Sequence, residues 1–522
     1  MQTSLAHLLP DAAQRFGDKT AVVVGEEQIS FRELDVQSSR LAHALQKLGI
    51  RQGARVSLIA PNSIPWVVAY YGVLKAGATI NPLNMGFTAA EAAFAIHDCG
   101  SVAVVGSGDH IASLLGQVGL QGIQHFIAFG GGTAAPVLDF DTLIASASTQ
   151  YAPCDAGPDA LAAIAYTSGT TGHPKGVKRE AATPEQAAAY IALIARVYGI
   201  TPGANPPARA LVAGPLYHAS PNAYGRQALP NCELLVLQSK FDPEETLALI
   251  ARHRLTHAVM VPTMFVRLLK LPPEVRARYD VSSLQWVTHT GAPCPVEVKQ
   301  ALMAWWGPVV YETYGGSEVG TATVSTPQDW LAHPGSVGVP TPGTRIAFYG
   351  EDGTPVAPGE VGEIYMRVPA YADFTYLHHE GKRASVERDG LISCGDVGYL
   401  KDDHLYLCDR RSDMVISAGT NIYPAEIEMA LMQCPGVQDC AVFGIPDDEF
   451  GESLAAAVQV MPGEAGAALT ADSVRAYLAT RLAKYKLPRR VDFHAALPRE
   501  DSGKIFKRRL RDPYWQAAGR KI

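Results

Sequence analysis

Tyr166-Thr-Ser-Gly-Thr-Thr-Gly-His-Pro-Lys-Gly176 is the stretch on which the reading of this chain turns. Leu161-Ala-Ala-Ile-Ala165, just before it, reads as a strand that runs into small hydroxyl and glycine residues and ends at Lys175. Glycines let backbone N–H groups approach an anion closely, hydroxyls add donors, and the lysine adds charge. The spacing is not that of a Walker loop, G-x-x-x-x-G-K-[ST]. A Ser/Thr/Gly-rich run is often only a loop, so the rest of the chain decides.

On both sides of this string, short Val/Ile/Ala-rich runs alternate with helical periodicity. Arg55-Val-Ser-Leu-Ile-Ala60 predicts a buried strand, Pro65 to Ala76 a helix, and Ala78-Thr-Ile-Asn-Pro82 a strand again. The pattern recurs at Val102 to Val105 and at His257 to Val261. Such alternation implies α/β layers with largely parallel sheets. Near Gly343 the texture changes to short strands and turns: Thr344-Arg-Ile-Ala-Phe348, Glu351-Asp-Gly-Thr354, Gly362-Glu-Ile-Tyr-Met-Arg367. The expected organisation is a large N-terminal domain over residues 1–411, with a β-rich subdomain at about 335–410, and a small α/β C-terminal domain over 412–522. No repeat of solenoid period occurs.

The bulk composition sets bounds. At 522 residues the chain needs more than one core. With 47% hydrophobic and 18% charged residues it is globular in composition, and a net charge of −7 gives no reason to expect a nucleic-acid partner. The basic run Lys504-Ile-Phe-Lys-Arg-Arg-Leu-Arg511 reads either as a solvated face or as a landing surface for a phosphate-bearing ligand. Eight scattered cysteines show neither C-x-x-C nor zinc-site spacing, so reduced thiols are expected. Leu5 to Phe16 reads as an amphipathic helix without signal-peptide layout, and no apolar run has membrane-span length. A cytoplasmic location is expected; nothing legible encodes oligomeric state, which leaves a homodimer open.

The full string at Tyr166–Gly176 resembles the phosphate loop of the superfamily of AMP-forming acyl-CoA synthetases, luciferases and peptide-synthetase adenylation domains. That resemblance implies further blocks in a set order, and they are present. Pro215-Leu-Tyr-His-Ala219 matches the block whose histidine borders the acyl pocket, here His218. Thr290-Gly-Ala-Pro293 resembles the turn along the adenine, which implicates Gly291, Ala292 and Pro293. Tyr314-Gly-Gly-Ser-Glu318 matches the Y-G-x-[ST]-E block, with Tyr314 to stack on the base and Gly315 and Gly316 to leave room for the acyl group. Ser317 stands where threonine is commoner, and Glu318 is the implied oxygen ligand for Mg²⁺.

Gly395-Asp-Val-Gly398 resembles the ribose-binding block, with Asp396 for both hydroxyls and Arg410 following it. Ser417-Ala-Gly-Thr-Asn-Ile-Tyr-Pro-Ala-Glu-Ile-Glu428 matches the opening of a mobile C-terminal domain, with Gly419 along the pantetheine tunnel of CoA. Leu497-Pro-Arg-Glu-Asp-Ser-Gly-Lys504 matches the closing block, whose lysine grips the substrate carboxylate and α-phosphate. The phosphate loop would contribute Thr167, Ser168, Gly169, Thr170, Thr171, Gly172 and Lys175. There are two departures. Ser412 occupies the hinge position, commonly Asp or Lys, with Asp413 next to it. Asp409 replaces a frequent glycine.

The resemblance implies an acyl-CoA ligase using ATP, Mg²⁺ and CoA on a small-molecule carboxylic acid. Lys504, Glu318, Thr167 and His218 would carry the catalysis. The rivals are an enzyme that loads a free-standing carrier protein, a nucleotide-binding sensor without catalysis, and a luciferase-like oxygenase. The acid would meet the helix after His218, including Asn222, Tyr224 and Arg226, together with His289 to Ala292 and Tyr314 to Gly316. Gly315-Gly316 favours a bulky acid. Arg226 reads as a helix-surface arginine; the sharper alternative pairs it with a second carboxylate. The closing Asp512-Pro-Tyr-Trp515 resembles the tails of ligases for fatty, aromatic or sterol-type acids.

Overall fold

The computed structural model describes residues 5–131, 135–148, 154, 163–167, 175–357, 359–378, 380–417, 420–499 and 505–518. The chain forms two compact units: one of residues 1–334, 340–345 and 367–392, the other of 335–339, 346–366 and 393–522. The expected α/β class is what the fold shows. Residues 335–339, 346–366 and 393–410 of the β-rich segment group with the C-terminal residues, while 340–345 and 367–392 belong to the first unit, so the units do not follow the order of the sequence.

In the first unit, five parallel strands are consecutive neighbours in one sheet: Val310–Gly316, Trp286–His289, His257–Met260, Arg209–Val212 and Leu234–Leu237. Thr20–Val24 continues the parallel array, and the antiparallel Glu27–Ser30 and Gly320–Ser325 lie beyond its two ends. Val236, Val287, Ala258, Leu211 and Val310 are fully buried beneath the helices Pro243–His253, Pro262–Leu269 and Val296–Trp306. Near-continuous apolar runs are expected of parallel strands covered on both faces. A second parallel sheet runs Thr79–Pro82, Arg55–Ile59, Ala103–Ser107, His125–Phe129, Val137–Asp139. The predicted helix near Pro65 is Ile64–Lys75, with Ser63 accepting from the Trp66 N–H at its N-cap. The predicted N-terminal helix forms as a 3₁₀ turn, Leu5–His7, followed by Leu8–Phe16.

Two ionic groups are buried within this unit. Lys75, 1% exposed in its side chain, meets Asp35 Oδ1 at 2.6 Å and the hydroxyls of Ser38 and Ser39 at 2.8 and 3.0 Å. Lys299 Nζ donates to Glu312 Oε2 at 2.7 Å, and His289 Nε2 lies 3.4 Å from the same oxygen. Register explains the second group: His289 stands directly opposite Glu312 on the neighbouring strand. Burial alone would raise the Glu312 carboxyl, but the His289 and Lys299 charges outweigh it and hold it well below the usual range.

The second unit contains most of the hairpin Leu391–Lys401/His404–Arg410, in one sheet with Gly362–Arg367 and Arg345–Tyr349. It also contains a sheet in the order Thr420–Ile422, Val415–Ser417, Gly451–Val460, Val437–Asp447, with Arg490–His494 parallel to Gly451–Val460. Ile427, Leu431, Val442, Ala456, Val458, Val474 and Leu478 form its core. The final helix, Lys507–Ala517, packs Leu510 and Tyr514 near Phe443, and Trp515 Nε1 donates to the Gly444 carbonyl at 3.1 Å. The closing Tyr514-Trp515 therefore packs inside this unit. All eight cysteines are free thiols. Among the described residues no helix is long and apolar enough to cross a membrane.

Removing Glu312 leaves Lys299 charged and unpaired in the core, beside a histidine whose pKa burial lowers. Glu312→Ala should cost about 3–5 kcal/mol of unfolding free energy, read from urea unfolding; a loss under about 1 kcal/mol would show that the cluster is not a structural anchor. A second expectation concerns acid. His257 is buried, donating from Nε2 to the Gly199 carbonyl at 3.2 Å and accepting at Nδ1 from Thr256 at 2.8 Å. Burial drives its pKa down to about 4, against that backbone hydrogen bond. Below its ordinary value of about 6.5 the unfolded chain takes a proton that the folded chain refuses, so stability falls as pH drops towards 4. The share from His257 is about 3 kcal/mol. His257→Gln should flatten the stability–pH curve in that window; identical slopes would refute the assignment.

Candidate active site

In an open parallel sheet, ligands bind beyond the carboxyl ends of the strands, where the connecting loops converge. Three of the sequence blocks sit at that edge of the first unit. Strand Arg209–Val212 leads into Gly214-Pro215 and the helix Ala219–Asn231, with half-buried His218 at the N-cap. Strand Trp286–His289 ends in the turn at Gly291, whose φ of +88° suits glycine, and Gly291, Ala292 and Pro293 are exposed. Strand Val310–Gly316 carries Tyr314, 8% exposed, then Gly315, Gly316, Ser317 and Glu318.

The segment around Tyr166 joins them through a small antiparallel sheet. Ala165–Thr167 pairs with Lys175–Arg179, and Phe374–Tyr376 pairs on the other side, with Tyr376 opposite Val177. Tyr166 is anchored by its hydroxyl, which donates to Asp98 Oδ2 at 2.7 Å. The third strand brings Tyr376 to Glu318: the tyrosine hydroxyl donates to Glu318 Oε1 at 2.9 Å, while Lys175 Nζ lies 5.7 Å from the same ring. Arg179 ties the block down, donating to the carbonyls of Ser317 at 2.7 Å and Ala372 at 2.9 Å. Burial, then the neighbouring charge of Lys382, lowers the Lys175 pKa, and Glu318 opposes them. Two cations and one carboxylate beside a glycine-rich loop suit a polyanion accompanied by a hard cation.

Gly315 has a different reason from the one expected. A Cβ there would stand 1.9 Å from the Gly320 carbonyl oxygen, so this glycine is required by the antiparallel pairing with Gly320–Ser325. His289 does not line a pocket either; it is fully buried in the ion cluster with Glu312. Tyr224 is 0% exposed and packs edge-on against Tyr198, so it too belongs to the core.

In the second unit, Asp396 and Arg410 are register partners across the hairpin, with Arg410 Nε 3.5 Å from Asp396 Oδ1. Asp409 serves the fold: its Oδ2 accepts from the Ala425 N–H at 2.8 Å, capping the helix Pro424–Met432, whose own N-cap Tyr423 makes no side-chain bond. Burial raises its pKa. Lys507 is claimed by Glu428 at 2.8 Å and Arg508 by Asp512 at 3.0 Å, so these members of the basic run are internally paired. Arg511 donates to the Ser412 carbonyl at 3.3 Å. Ser168, Gly169, Thr170, Thr171, Gly172, Gly419 and Lys504 lie outside the described residues, and Thr167 is described in its backbone alone.

The sequence reading missed Tyr376, Arg179 and Lys382. Tyr376 and Lys382 are far from the loop in sequence and belong to none of the blocks, so only strand pairing reveals them. Arg179, four residues past Lys175, was visible as a charge but not as a clamp.

Comparison with known proteins agrees with this geometry. Residues 9–373 match the AMP-binding enzyme family, and residues 426–504 match the AMP-binding enzyme C-terminal domain. The chain is 32% identical to a long-chain-fatty-acid–CoA ligase of Bacillus subtilis (strain 168), over 97% of this chain and 94% of that protein. It is 32% identical to a feruloyl-CoA synthase of an Amycolatopsis species, over 94% of this chain and 95% of that one. Among solved structures, the amide bond synthetase McbA from Marinactinospora thermotolerans superposes with a TM-score of 0.81 at 27% identity, covering 98% of this chain and 100% of that one. Blocks, fold and relatives agree: the chain belongs to the AMP-binding enzyme family, as an AMP-forming acyl-CoA synthetase.

Proposed function

We propose that the chain activates a fatty, aryl or steroid-type carboxylic acid, with the residues described above dividing the work. The observation that carries this reading is the pairing of Lys175 and Glu318 around Tyr376 at the carboxyl edge of the parallel sheet. There the loop from Thr167 through Ser168, Gly169, Thr170, Thr171 and Gly172 to Lys175 cradles the phosphates, assisted by Lys382. Gly291, Ala292 and Pro293 lie along the adenine, and Tyr314 stacks on it. His218, Gly315 and Gly316 border the acyl group, and Ser317 supplies a hydroxyl. Asp396 and Arg410 hold the ribose.

Glu318 presents the carboxylate oxygen that Mg²⁺ prefers, oriented by Tyr376, and the ion would supply positive charge against the phosphates. The acid is already ionised near neutral pH, so no general base is needed. Its carboxylate oxygen attacks the α-phosphorus of ATP, and the bond to pyrophosphate breaks. Lys504 neutralises the charge that gathers there. The CoA sulfur then attacks the acyl carbon, AMP departs with its electron pair, and the thiol proton passes to solvent. Gly419, lacking a side chain, leaves the thiol a route. Residues 1–411 serve adenylation and 412–522 form the mobile part, with Ser412 or Asp413 as pivot. Dependence on ATP and CoA suits a cytoplasmic setting.

Lys504→Ala should lower acid-dependent pyrophosphate release by a factor on the order of 10²–10³, while conversion of preformed acyl-AMP and CoA to thioester changes by less than about threefold, a shift under 1 kcal/mol. Equal loss in both half-reactions would contradict the role given to Lys504. Glu318→Gln should raise the Mg²⁺ concentration needed for half-maximal pyrophosphate exchange by more than about tenfold; an unchanged Mg²⁺ dependence would remove Glu318 as the metal ligand. A run with amines in place of CoA tests the acceptor, and faster amide than thioester formation would overturn the CoA assignment.

A further inference from the structure

The helix that begins at His218 carries one stripe of polar residues. His218, Asn222 and Arg226 follow each other at i, i+4 and i+8, so they share a face. Tyr70, from the helix Ile64–Lys75, donates its hydroxyl to Asn222 Oδ1 at 2.9 Å. Arg226 donates from Nη2 to the Tyr190 hydroxyl at 2.7 Å, with its guanidinium 5.9 Å from the centre of that ring. Tyr190 in turn meets Tyr371 edge-on at 5.2 Å, and Arg179 lies over Tyr371 while holding the Ser317 carbonyl. Arg226 is thus separated by two tyrosine rings from the segment proposed to border the acyl group.

This arginine is not on an open helix surface. It is partly buried, and among the described residues its side chain meets the hydroxyl and ring of Tyr190 rather than a carboxylate. Its neighbours are tyrosines: burial pushes the hydroxyls of Tyr70 and Tyr71 up, against the opposing charge of Arg226, so they stay neutral at ordinary pH. They offer dipoles but no counter-charge. A second group is also unsatisfied. Tyr71 is 4% exposed, its ring packs edge-on against Tyr70 at 5.7 Å, and its hydroxyl is buried without a hydrogen-bond partner among the described residues. The Arg226 guanidinium is met by a neutral phenol and the buried Tyr71 hydroxyl feels its charge without having a partner, so both groups keep unused capacity for an anionic acceptor.

We propose that Arg226, with Tyr71, recognises a second carboxylate at the far end of the acyl substrate. This rests on the reading of His218 as the border of the acyl group. Eight residues along a helix separate His218 from Arg226, roughly 12 Å. The substrate class is therefore a dicarboxylic acid with an extended or ring-containing spacer, and malonate is too short. Only the carboxylate next to His218 is adenylated; the second is held by charge-assisted hydrogen bonds and emerges unchanged in the thioester.

The test uses the full chain in a thioester assay, with linear dicarboxylates from succinate to dodecanedioate, phenylene diacids, and the monocarboxylate matching each in length. The expected result is a kcat/KM for the best long or aromatic diacid at least about tenfold above its monocarboxylate partner. Arg226→Gln should cut that ratio ten- to hundredfold, through KM for the diacid, with Arg226→Lys keeping part of it. Tyr71→Phe, which leaves the ring in place, should lower the same ratio several-fold. Circular dichroism of each variant separates loss of fold from loss of recognition, and Tyr71→Phe serves if Arg226→Gln does not fold. Thioester formation from monocarboxylates with no diacid preference, or a ratio unmoved in both variants, overturns this proposal and leaves the ligase reading standing. Absence of thioester from every acid overturns the reading beneath it as well.

Discussion

Lys299, His289 and Glu312 form the buried ionic cluster on which the carboxyl edge of the main sheet depends. Three different elements supply them: the helix Val296–Trp306 and the neighbouring strands Trp286–His289 and Val310–Gly316. Within a few residues, each strand passes into a segment of the proposed active site, Thr290–Pro293 in one case and Tyr314–Glu318 in the other. A parallel ladder alone tolerates small slips of one strand against the next. A charge cluster does not, because a shift of one residue would expose Glu312 to apolar neighbours without its partners. The ionic pins therefore set the relative height of the two loops proposed to hold one nucleotide.

The second constraint lies in the tyrosines. Tyr376 orients Glu318, Tyr166 fastens the strand entering the proposed phosphate loop to Asp98, and Tyr371 receives the Arg179 guanidinium. Each ring gives apolar bulk on one side and a directed hydroxyl on the other. Around Glu318 this arrangement gives rigidity without adding negative charge, which suits the phosphate-binding role proposed for this edge. Around Arg226 the same neutrality leaves the guanidinium without a counter-ion, and that is what makes it informative. Gly315 shows a complementary use of space: the Gly320 carbonyl fills the position where a Cβ would be.

What the sequence by itself determined is the family, the α/β class and the order of the chemical blocks. These depend on local strings and short-range periodicity: the loop at Tyr166–Gly176, the Tyr314–Glu318 block, the strand and helix patterns at Arg55 to Pro82. Only the tertiary structure decided which side chains surround those blocks. It placed Tyr376 and Arg179 against Glu318 and Ser317, moved His289 and Tyr224 from an expected pocket into the core, made Asp409 a helix cap, and set Arg226 among tyrosines. The physical reason is that a side chain's partners are fixed by strand register and helix face across hundreds of residues, whereas composition and spacing report only on neighbours along the chain.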